Sequence, residues 1–261
     1  MSHKQTMENI TLASGHKIPI LGLGTWRLNG HQCEQIVKSA IDLGYTHIDT
    51  AWMYKNQREI GKALREIGAE REELFITSKI WHTHLKRDDV LSQFEVCIND
   101  LQMDYVDLLL IHWPSDSVPF EETFGAFKEI YDTGKVKSIG ISNFNITQVN
   151  EACEKSELPI CTNQVEYHVR NNKEDLRKHC VARNIPITAH RPLSAGGIVN
   201  DKELREIGSR HGKTAAQVAL RWLIQKGIIT IPKSGSQPHL RENLDLFDWQ
   251  LTDTEMQTLE N

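Results

Sequence analysis

Short apolar runs alternate with amphipathic segments along almost the whole chain. Eight runs have the length of strands, at residues 21–26, 45–51, 74–80, 105–113, 136–143, 160–168, 185–193 and 227–234. The segments between them space apolar residues three and four apart, as a helix with one buried face does; examples are 33–44, 57–68, 88–102 and 215–227. The pattern therefore predicts eight consecutive β-α units.

The regular count of units predicts the fold class. Each unit spans roughly 30 residues, which suits a right-handed crossover between parallel strands. Eight units within 261 residues favour one closed (β/α)8 TIM barrel over an open doubly wound sheet. Residues 10–20, with a turn at Ser14 and Gly15, predict an N-terminal β-hairpin that closes the bottom of the barrel. No linker interrupts the pattern, so residues 1–261 are expected to form a single domain.

Charge and cysteine content narrow the classes of partner. The net charge is −5 and the basic residues are scattered, which argues against binding to nucleic acid or to an acidic membrane surface. No apolar run approaches the roughly 18 residues of a membrane span, and the polar start has no signal-peptide core. The five cysteines form no CxxC pair, which predicts reduced, mostly buried thiols. We expect a cytoplasmic monomer that acts on small molecules.

Candidate chemistry lies where the predicted strands end, because the active sites of such barrels are built at the carboxyl ends of the strands. The residues at these ends are unusually polar. In chain order they are Thr25 and Trp26, Asp49 followed by Tyr54, Lys79 and Trp81, His112 and Trp113, Ser142 and Asn143, Asn163, Gln164 and His168, His190, and Lys233 and Ser234.

Four of these residues predict acid-base chemistry. Neighbouring strands lie about 4.8 Å apart, so Asp49, Lys79 and His112 are expected at matching depths on three consecutive strands, with Tyr54 reaching back from its loop. An ammonium favours the ionised form of a phenol, so Lys79 is expected to lower the pKa of Tyr54. Asp49 would keep Lys79 charged and oriented toward Tyr54. His112 would hydrogen-bond the substrate oxygen or relay the proton.

Three other classes of protein remain open from the residues alone. A Schiff-base lyase would use Lys79 as its nucleophile. A metal-dependent hydrolase would use the histidines 82, 84, 112 and 168, although no carboxylate-rich ligand set accompanies them and we predict no metal. A regulatory subunit would bind a nucleotide without turnover.

Seven motifs in one order carry a resemblance to a known family. They are LGLGTW, GYTHIDTAWMYKNQREIG, ITSKIW, DYVDLLLIHWP, GKVKSIGISNF, TNQVEYH and IPKS. Together they span almost the whole chain. The sequence resembles the aldo-keto reductases, and within them the bacterial 2,5-diketo-gluconate reductase-like branch.

The resemblance implies a barrel that binds NADPH across its mouth and reduces aldehydes or ketones, among them diketones or keto sugar acids. It implies that Tyr54 is the proton donor, that Asp49 and Lys79 support it, and that His112 orients the substrate. The implied cofactor contacts are Thr25, Trp26, Asp49, Ser142, Asn143, Gln164, His190, Pro192, Leu193, Lys233, Ser234, His239 and Asn243. The implied substrate contacts are Trp26, Trp81, His112 and Trp113.

Three departures from the family pattern carry expectations of their own. The strand-end string is AHRPL, so His190 stands where an aromatic ring usually stacks on nicotinamide, which predicts weaker and pH-dependent cofactor binding. His239 replaces a common arginine near the 2′-phosphate, which predicts relaxed NADPH selectivity and some use of NADH unless Arg241 compensates. The chain ends at LTDTEMQTLEN, which predicts an open site and broad, weak substrate specificity.

Overall fold

A sheet of eight parallel strands, which neighbour one another in chain order, forms the centre of the computed structural model, which describes residues 8–260. Two short antiparallel strands precede the sheet, β1 (Asn9–Thr11) and β2 (Lys17–Pro19). The strands of the sheet are β3 (Leu23–Gly24), β4 (His47–Asp49), β5 (Phe75–Ile80), β6 (Val106–Ile111), β7 (Val136–Ser142), β8 (Ile160–Glu166), β9 (Ile187–His190) and β10 (Ile229–Thr230). All eight predicted strands are therefore present.

The sheet closes on itself, because its first and last strands are also neighbours. The amide of Gly22 donates to the carbonyl oxygen of Thr230 at 2.9 Å, and the amide of Thr230 donates to Ile20 at 2.8 Å. Gly24 permits this approach, since a Cβ at that position would lie 2.5 Å from the carbonyl oxygen of Ile231. The predicted (β/α)8 barrel is confirmed.

Helices cover the outside of the barrel, and most of them bury one face. In the first helix the buried residues Cys33, Ile36, Val37 and Ala40 recur three and four apart, as the sequence pattern predicted. The helices within residues 8–260 are α1 (Gly30–Leu43), α2 (Gln57–Glu66), α3 (Arg87–Leu101), α4 (Phe120–Asp132), α5 (Ile146–Lys155), α6 (Glu174–Val181), α7 (Lys202–His211), α8 (Ala215–Gln225), α9 (Gln237–Leu244) and α10 (Asp253–Thr258). Short 3₁₀ turns occupy Trp52–Tyr54, Arg71–Glu73 and Ser194–Asn200.

The strands β1 and β2 form the predicted hairpin under the amino-terminal ends of the barrel strands. Leu12 and Ile18 of the hairpin are buried in a cluster with Phe75, the first residue of β5. The hydroxyl of Ser14 lies 2.8 Å from that of Ser138, near the start of β7. The hairpin thus closes the bottom of the barrel and leaves the opposite end open for chemistry.

The first and last barrel strands are shorter than their apolar runs indicated, so the predicted bounds 21–26 and 227–234 were wrong. Each strand keeps two residues, and the chain beyond them pairs only through isolated bridges. Arg27 adopts a left-handed conformation with φ 64°, which turns the chain away after Trp26. Pro232 has no N–H to donate to a neighbouring strand. The candidate residues at 25–26 and 233–234 therefore lie on loops at the mouth.

The thiol prediction is confirmed, since all five cysteines are free and only Cys153 among them is exposed. No helix within residues 8–260 is long and apolar enough to cross a membrane. Residues 1–7, part of the segment for which the sequence predicts no signal-peptide core, lie outside the described residues, as does Asn261.

Candidate active site

A cavity of about 1430 Å³ opens at the carboxyl ends of the barrel strands. This volume exceeds the roughly 300–1,000 Å³ of ordinary small-molecule pockets, so a long ligand and a second small molecule would fit together. The cavity brings together nearly all the predicted site residues. Its lining includes Thr25, Trp26, Asp49, Tyr54, Trp81, His112, Trp113, Asn143, Gln164, His190, Pro192, Leu193, Lys233, Ser234, His239 and Asn243.

Asp49, which lines the cavity, and Lys79, which does not, form a buried ion pair with Oδ1 and Nζ 2.5 Å apart. Asp49 is in register with Thr77, and Lys79 is in register with Leu110, so each next candidate lies two residues further along its strand. Because barrel strands are tilted, residues at similar heights are offset in register between neighbouring strands. The expectation of matching depths stays a prediction. The long lysine side chain nevertheless reaches back to Asp49, so the two charges meet.

Lys79 uses all three of its ammonium hydrogens. Besides Asp49, Nζ donates to the carbonyl oxygen of Thr50 at 2.9 Å and to the phenol oxygen of Tyr54 at 3.4 Å. The phenol therefore accepts from Lys79, and its own O–H has no protein acceptor among the described residues. That O–H is left free for a ligand in the cavity.

The charge state of this chain of groups differs from the sequence expectation. Burial raises the pKa of Tyr54 and outweighs the ammonium of Lys79, which lowers it, so the predicted fall in the phenol's pKa is wrong. Burial lowers the pKa of Lys79, but Asp49 and then Tyr54 outweigh it, and the pKa lies above its usual value. Tyr54 is thus a neutral donor and Lys79 a permanent cation at ordinary pH.

His112 closes the other side of the phenol, with its ring edge-on to Tyr54 at a centroid distance of 5.6 Å and to Trp81 at 5.1 Å. Burial lowers the pKa of His112 to about 2, and Lys79, His190 and His82 add to the effect. The ring is therefore neutral and a poor base. Its Nδ1 is buried and has no hydrogen-bond partner among the described residues, and His112 lines the cavity. Hydrogen bonding through the accessible nitrogen suits this ring better than the predicted alternative of a proton relay.

Gln164, on β8, hydrogen-bonds to the ion pair and lines the cavity. Its Nε2 donates to Oδ2 of Asp49 at 2.7 Å, which leaves its amide oxygen without a partner among residues 8–260. The hydroxyl of Ser142 donates to the backbone oxygen of Gln164 at 2.8 Å. Ser142 is fully buried and does not line the cavity, unlike Asn143 beside it. The predicted cofactor contact of Ser142 stays a prediction.

His190 lies at the carboxyl end of β9, as predicted, and lines the cavity. Burial lowers its pKa to about 3, and the cations Lys79, Lys173 and Arg191 add to this effect. The lowered pKa argues against a change of charge on His190 at ordinary pH, and the expectation of pH-dependent cofactor binding stays a prediction. The expectation that the smaller ring stacks less well stays a prediction.

The residues predicted to bind the cofactor's phosphate line the cavity from α9 and from the loop that precedes it. Lys233 has no carboxylate partner among the described residues, and Ser234 follows it in a turn that leads into α9. His239 and Asn243 line the cavity from α9, one turn apart. Arg241 lies on the same helix but is exposed and does not line the cavity, so it does not take the place of the missing arginine.

The substrate end is aromatic, because Trp26, Trp81 and Trp113 all line the cavity there. Trp26 and Trp113 are each 45 % exposed, which is unusual for the largest apolar side chain and marks them as walls rather than core. The exposed Met53 stands beside Tyr54 on the same rim.

One positioning residue, Asn56, is not among the site residues predicted from the sequence. Its side chain is fully buried and donates to the backbone oxygens of Thr25 and Leu28 at 2.8 and 2.9 Å. It also accepts from the hydroxyl of Thr50 at 2.9 Å. Asn56 thereby fixes the loop that carries Tyr54 against the loop after β3. A polar residue two positions after the tyrosine was the only signal in the sequence.

The histidines of the hydrolase alternative do not assemble. No group of three or more potential metal ligands occurs in the described part of the chain. His82 packs against Trp81, and His84 packs against Trp52. His168 lies 3.5 Å from Glu166.

Comparisons with known proteins agree with this geometry. Residues 20–261 match the model of the Aldo/keto reductase family. Glyoxal reductase of Bacillus subtilis is 39% identical over 254 residues, which cover 97% of this chain and 92% of that protein. The 9,11-endoperoxide prostaglandin H2 reductase of Trypanosoma cruzi is 40% identical over 255 residues, covering 96% of this chain and 90% of that protein.

Solved structures show the same fold. A protein provisionally named 2,5-diketo-D-gluconic acid reductase B superimposes with a TM-score of 0.94 at 39% identity, covering 98% of this chain and 92% of that one. The aldose reductase of Schistosoma japonicum gives a TM-score of 0.92 at 36% identity, covering 97% and 91%. The predicted resemblance is confirmed. This chain belongs to the aldo/keto reductase family, whose members are oxidoreductases that use nicotinamide cofactors.

Proposed function

We propose that this protein reduces small aldehydes and ketones with NADPH, and that Tyr54 donates the proton to the carbonyl oxygen. The observation that supports this most directly is the use of all three Lys79 hydrogens. Because the phenol oxygen accepts one of them, the O–H of Tyr54 remains free for an acceptor in the cavity. Glyoxal is a reasonable first substrate, since a relative is named glyoxal reductase.

The residues present fit a nicotinamide nucleotide. The amide oxygen of Gln164 has no partner among residues 8–260 and suits the N–H groups of a carboxamide, and the ammonium of Lys233, unpaired within the same residues, suits a phosphate elsewhere in the cavity. When bound, NADPH supplies the hydride that reduces the carbonyl carbon. Asn143, Gln164 and His190 would hold its nicotinamide end, and Lys233, Ser234, His239 and Asn243 its adenosine phosphate end.

The protein's own groups handle the proton and the oxygen. The neutral ring of His112 holds the carbonyl oxygen through a hydrogen bond, and Trp26, Trp81 and Trp113 exclude water from the substrate. As negative charge grows on that oxygen, Tyr54 transfers its O–H proton to it. Lys79 then stabilises the phenolate that remains, and Asp49 keeps the ammonium in place.

The Schiff-base alternative requires a neutral lysine nitrogen with a free lone pair. Lys79 is instead paired with Asp49 and donates all its hydrogens, and its pKa is raised. This arrangement supports reduction rather than imine formation. Borohydride trapping with glyoxal is expected to leave Lys79 itself unmodified, as mass spectrometry of the peptide that contains it would show.

The direct test is NADPH oxidation by the purified protein with glyoxal, a simple ketone and a diketone as substrates. Consumption of one NADPH for each alcohol formed is the expected result. NADPH binding without turnover on any of these carbonyls would support the regulatory subunit instead. The comparison separates the two, because only the enzyme forms an alcohol.

The rate of reduction is expected to be flat with pH across the neutral range. The pKa of Tyr54 is raised above its usual 10, so the donor stays protonated and is lost only at higher pH. His112 and His190 titrate near pH 2 and 3, far below this range. We therefore expect kcat for reduction to vary little between about pH 6 and pH 9. A bell-shaped kcat profile centred near neutral pH would contradict the assigned charge states.

The substitution His239→Arg is expected to raise selectivity for NADPH over NADH by about tenfold, because a guanidinium gives the 2′-phosphate a permanent charge and a two-pronged hydrogen bond. The measurement is kcat/KM for each cofactor. Arg241→Ala is the matched control on the same helix and should change neither value, since Arg241 lies outside the cavity. A strong NADPH preference already present in the unaltered protein would refute the relaxed selectivity predicted from His239.

Several sequence predictions stay predictions within this proposal. The single-domain organisation is supported by one apolar cluster that extends from Ile20 to Leu259. We also propose that the protein is a cytoplasmic monomer with a broad substrate range and no nucleic-acid partner.

A further inference from the structure

Asn143 holds an unusual position at the end of β7. Its φ is 64°, a left-handed conformation that a non-glycine residue rarely adopts, and it lines the cavity. Its Nδ2 donates to the carbonyl oxygen of His112 at 2.9 Å and to the hydroxyl of Ser142 at 3.0 Å. The orientation of its amide is therefore set by several contacts at once.

The direction of each hydrogen bond follows from its partners. The Ser142 hydroxyl gives its only hydrogen to the backbone oxygen of Gln164, so it must accept from Asn143. The nitrogen of the Asn143 amide is thus identified, and the oxygen is the atom that faces Nε2 of His190 at 3.1 Å. An amide oxygen only accepts, so Nε2 of His190 must carry the hydrogen.

We propose that His190 is a positioning residue for the carboxamide of the nicotinamide. Its Nε2–H fixes Oδ1 of Asn143, and this oxygen accepts from the N–H of the carboxamide through its second lone pair. The proposal rests on the proposed function, because it requires a nicotinamide nucleotide at this end of the cavity. It gives His190 a role that a plain aromatic ring at the same position does not have.

Two substitutions separate the hydrogen bond from the ring. His190→Phe keeps an aromatic ring that stacks on the ligand and removes the donor. His190→Gln keeps an N–H donor for Asn143 and removes the ring. Thermal unfolding of both variants provides the check that they fold.

The probes are NADP⁺ and its 3-acetylpyridine analogue, which has a methyl ketone in place of the carboxamide and so offers no N–H. The dissociation constant of each is measured by quenching of tryptophan fluorescence. We compare the ratio of the dissociation constant of NADP⁺ to that of the analogue. In His190→Phe, we expect this ratio to be about threefold to tenfold higher than in the unaltered protein. In His190→Gln, that ratio should stay near its original value even if both ligands bind more weakly.

An unchanged ratio in His190→Phe would overturn the proposal, because a residue that only stacks affects both ligands alike. A rise in His190→Gln as large as in His190→Phe would overturn it as well. Nitrogen NMR of the ligand-free protein tests the hydrogen bond separately and should show the Nε2–H tautomer of His190; the Nδ1–H tautomer would refute it. If the unaltered protein binds neither nucleotide, the proposed function and the carboxamide role both fail, whereas the tautomer result still decides the contact with Asn143.

Discussion

Replacing Tyr54 with phenylalanine is expected to lower kcat for carbonyl reduction by about 10²–10⁴-fold, the usual contribution of a positioned general acid. The substitution removes the phenol O–H that faces the cavity and leaves the ring in place. Since Asn143, Gln164 and Lys233 are untouched, the dissociation constant of NADPH should change little. The measurements are steady-state NADPH oxidation with glyoxal and fluorescence titration of NADPH.

The matched control is Tyr131→Phe, which removes a phenol hydroxyl from an exposed tyrosine on α4. Its kcat should equal that of the unaltered protein. Turnover by Tyr54→Phe within about threefold of the unaltered rate would show that another group donates the proton. His112 would then be the first alternative to examine.

Replacing Lys79 with methionine is expected to lower the free energy of unfolding by about 3–5 kcal/mol, because it leaves the carboxylate of Asp49 buried without its counter-charge. Activity should fall as well, since the phenolate of Tyr54 loses its nearest cation. Urea denaturation followed by circular dichroism measures the first effect.

Two further variants make the Lys79 result specific. The double variant Asp49→Asn with Lys79→Met removes both charges and should be more stable than Lys79→Met alone, because no unpaired charge remains. Lys62→Met breaks a half-exposed ion pair with Glu34 and should cost less than about 1 kcal/mol. A Lys79→Met variant as stable as Lys62→Met would mean that the buried pair is not charged as described.

Strand-end polarity made much of the site predictable. Asp49, Lys79 and His112 each close an apolar run, and a charge in that position requires partners at the barrel mouth. The alternation of strand and helix patterns predicted the barrel, because eight β-α units of similar length leave few other closed arrangements. These inferences need only local pattern and chain order.

Properties that depend on three-dimensional packing could not be predicted. The net pKa of Tyr54 is a balance between burial and the field of Lys79, and only coordinates show that burial is larger. Arg241 and His239 are two residues apart on one helix, so only one of them faces the cavity. The bond between His190 and Asn143 joins residues 47 positions apart and depends on the left-handed turn at Asn143.

The central claim is that Tyr54 delivers the proton at the carbonyl to which NADPH delivers its hydride. Single-turnover transfer of deuterium to glyoxal from NADPH that carries deuterium at both C4 positions measures this step alone, free of binding and product release. The unaltered protein should place one deuterium on the former carbonyl carbon. Tyr54→Phe, saturated with the same cofactor, should do so at a rate lower by about a hundredfold or more. Equal transfer rates in the two proteins, or no deuterium in the product of either, would contradict the account.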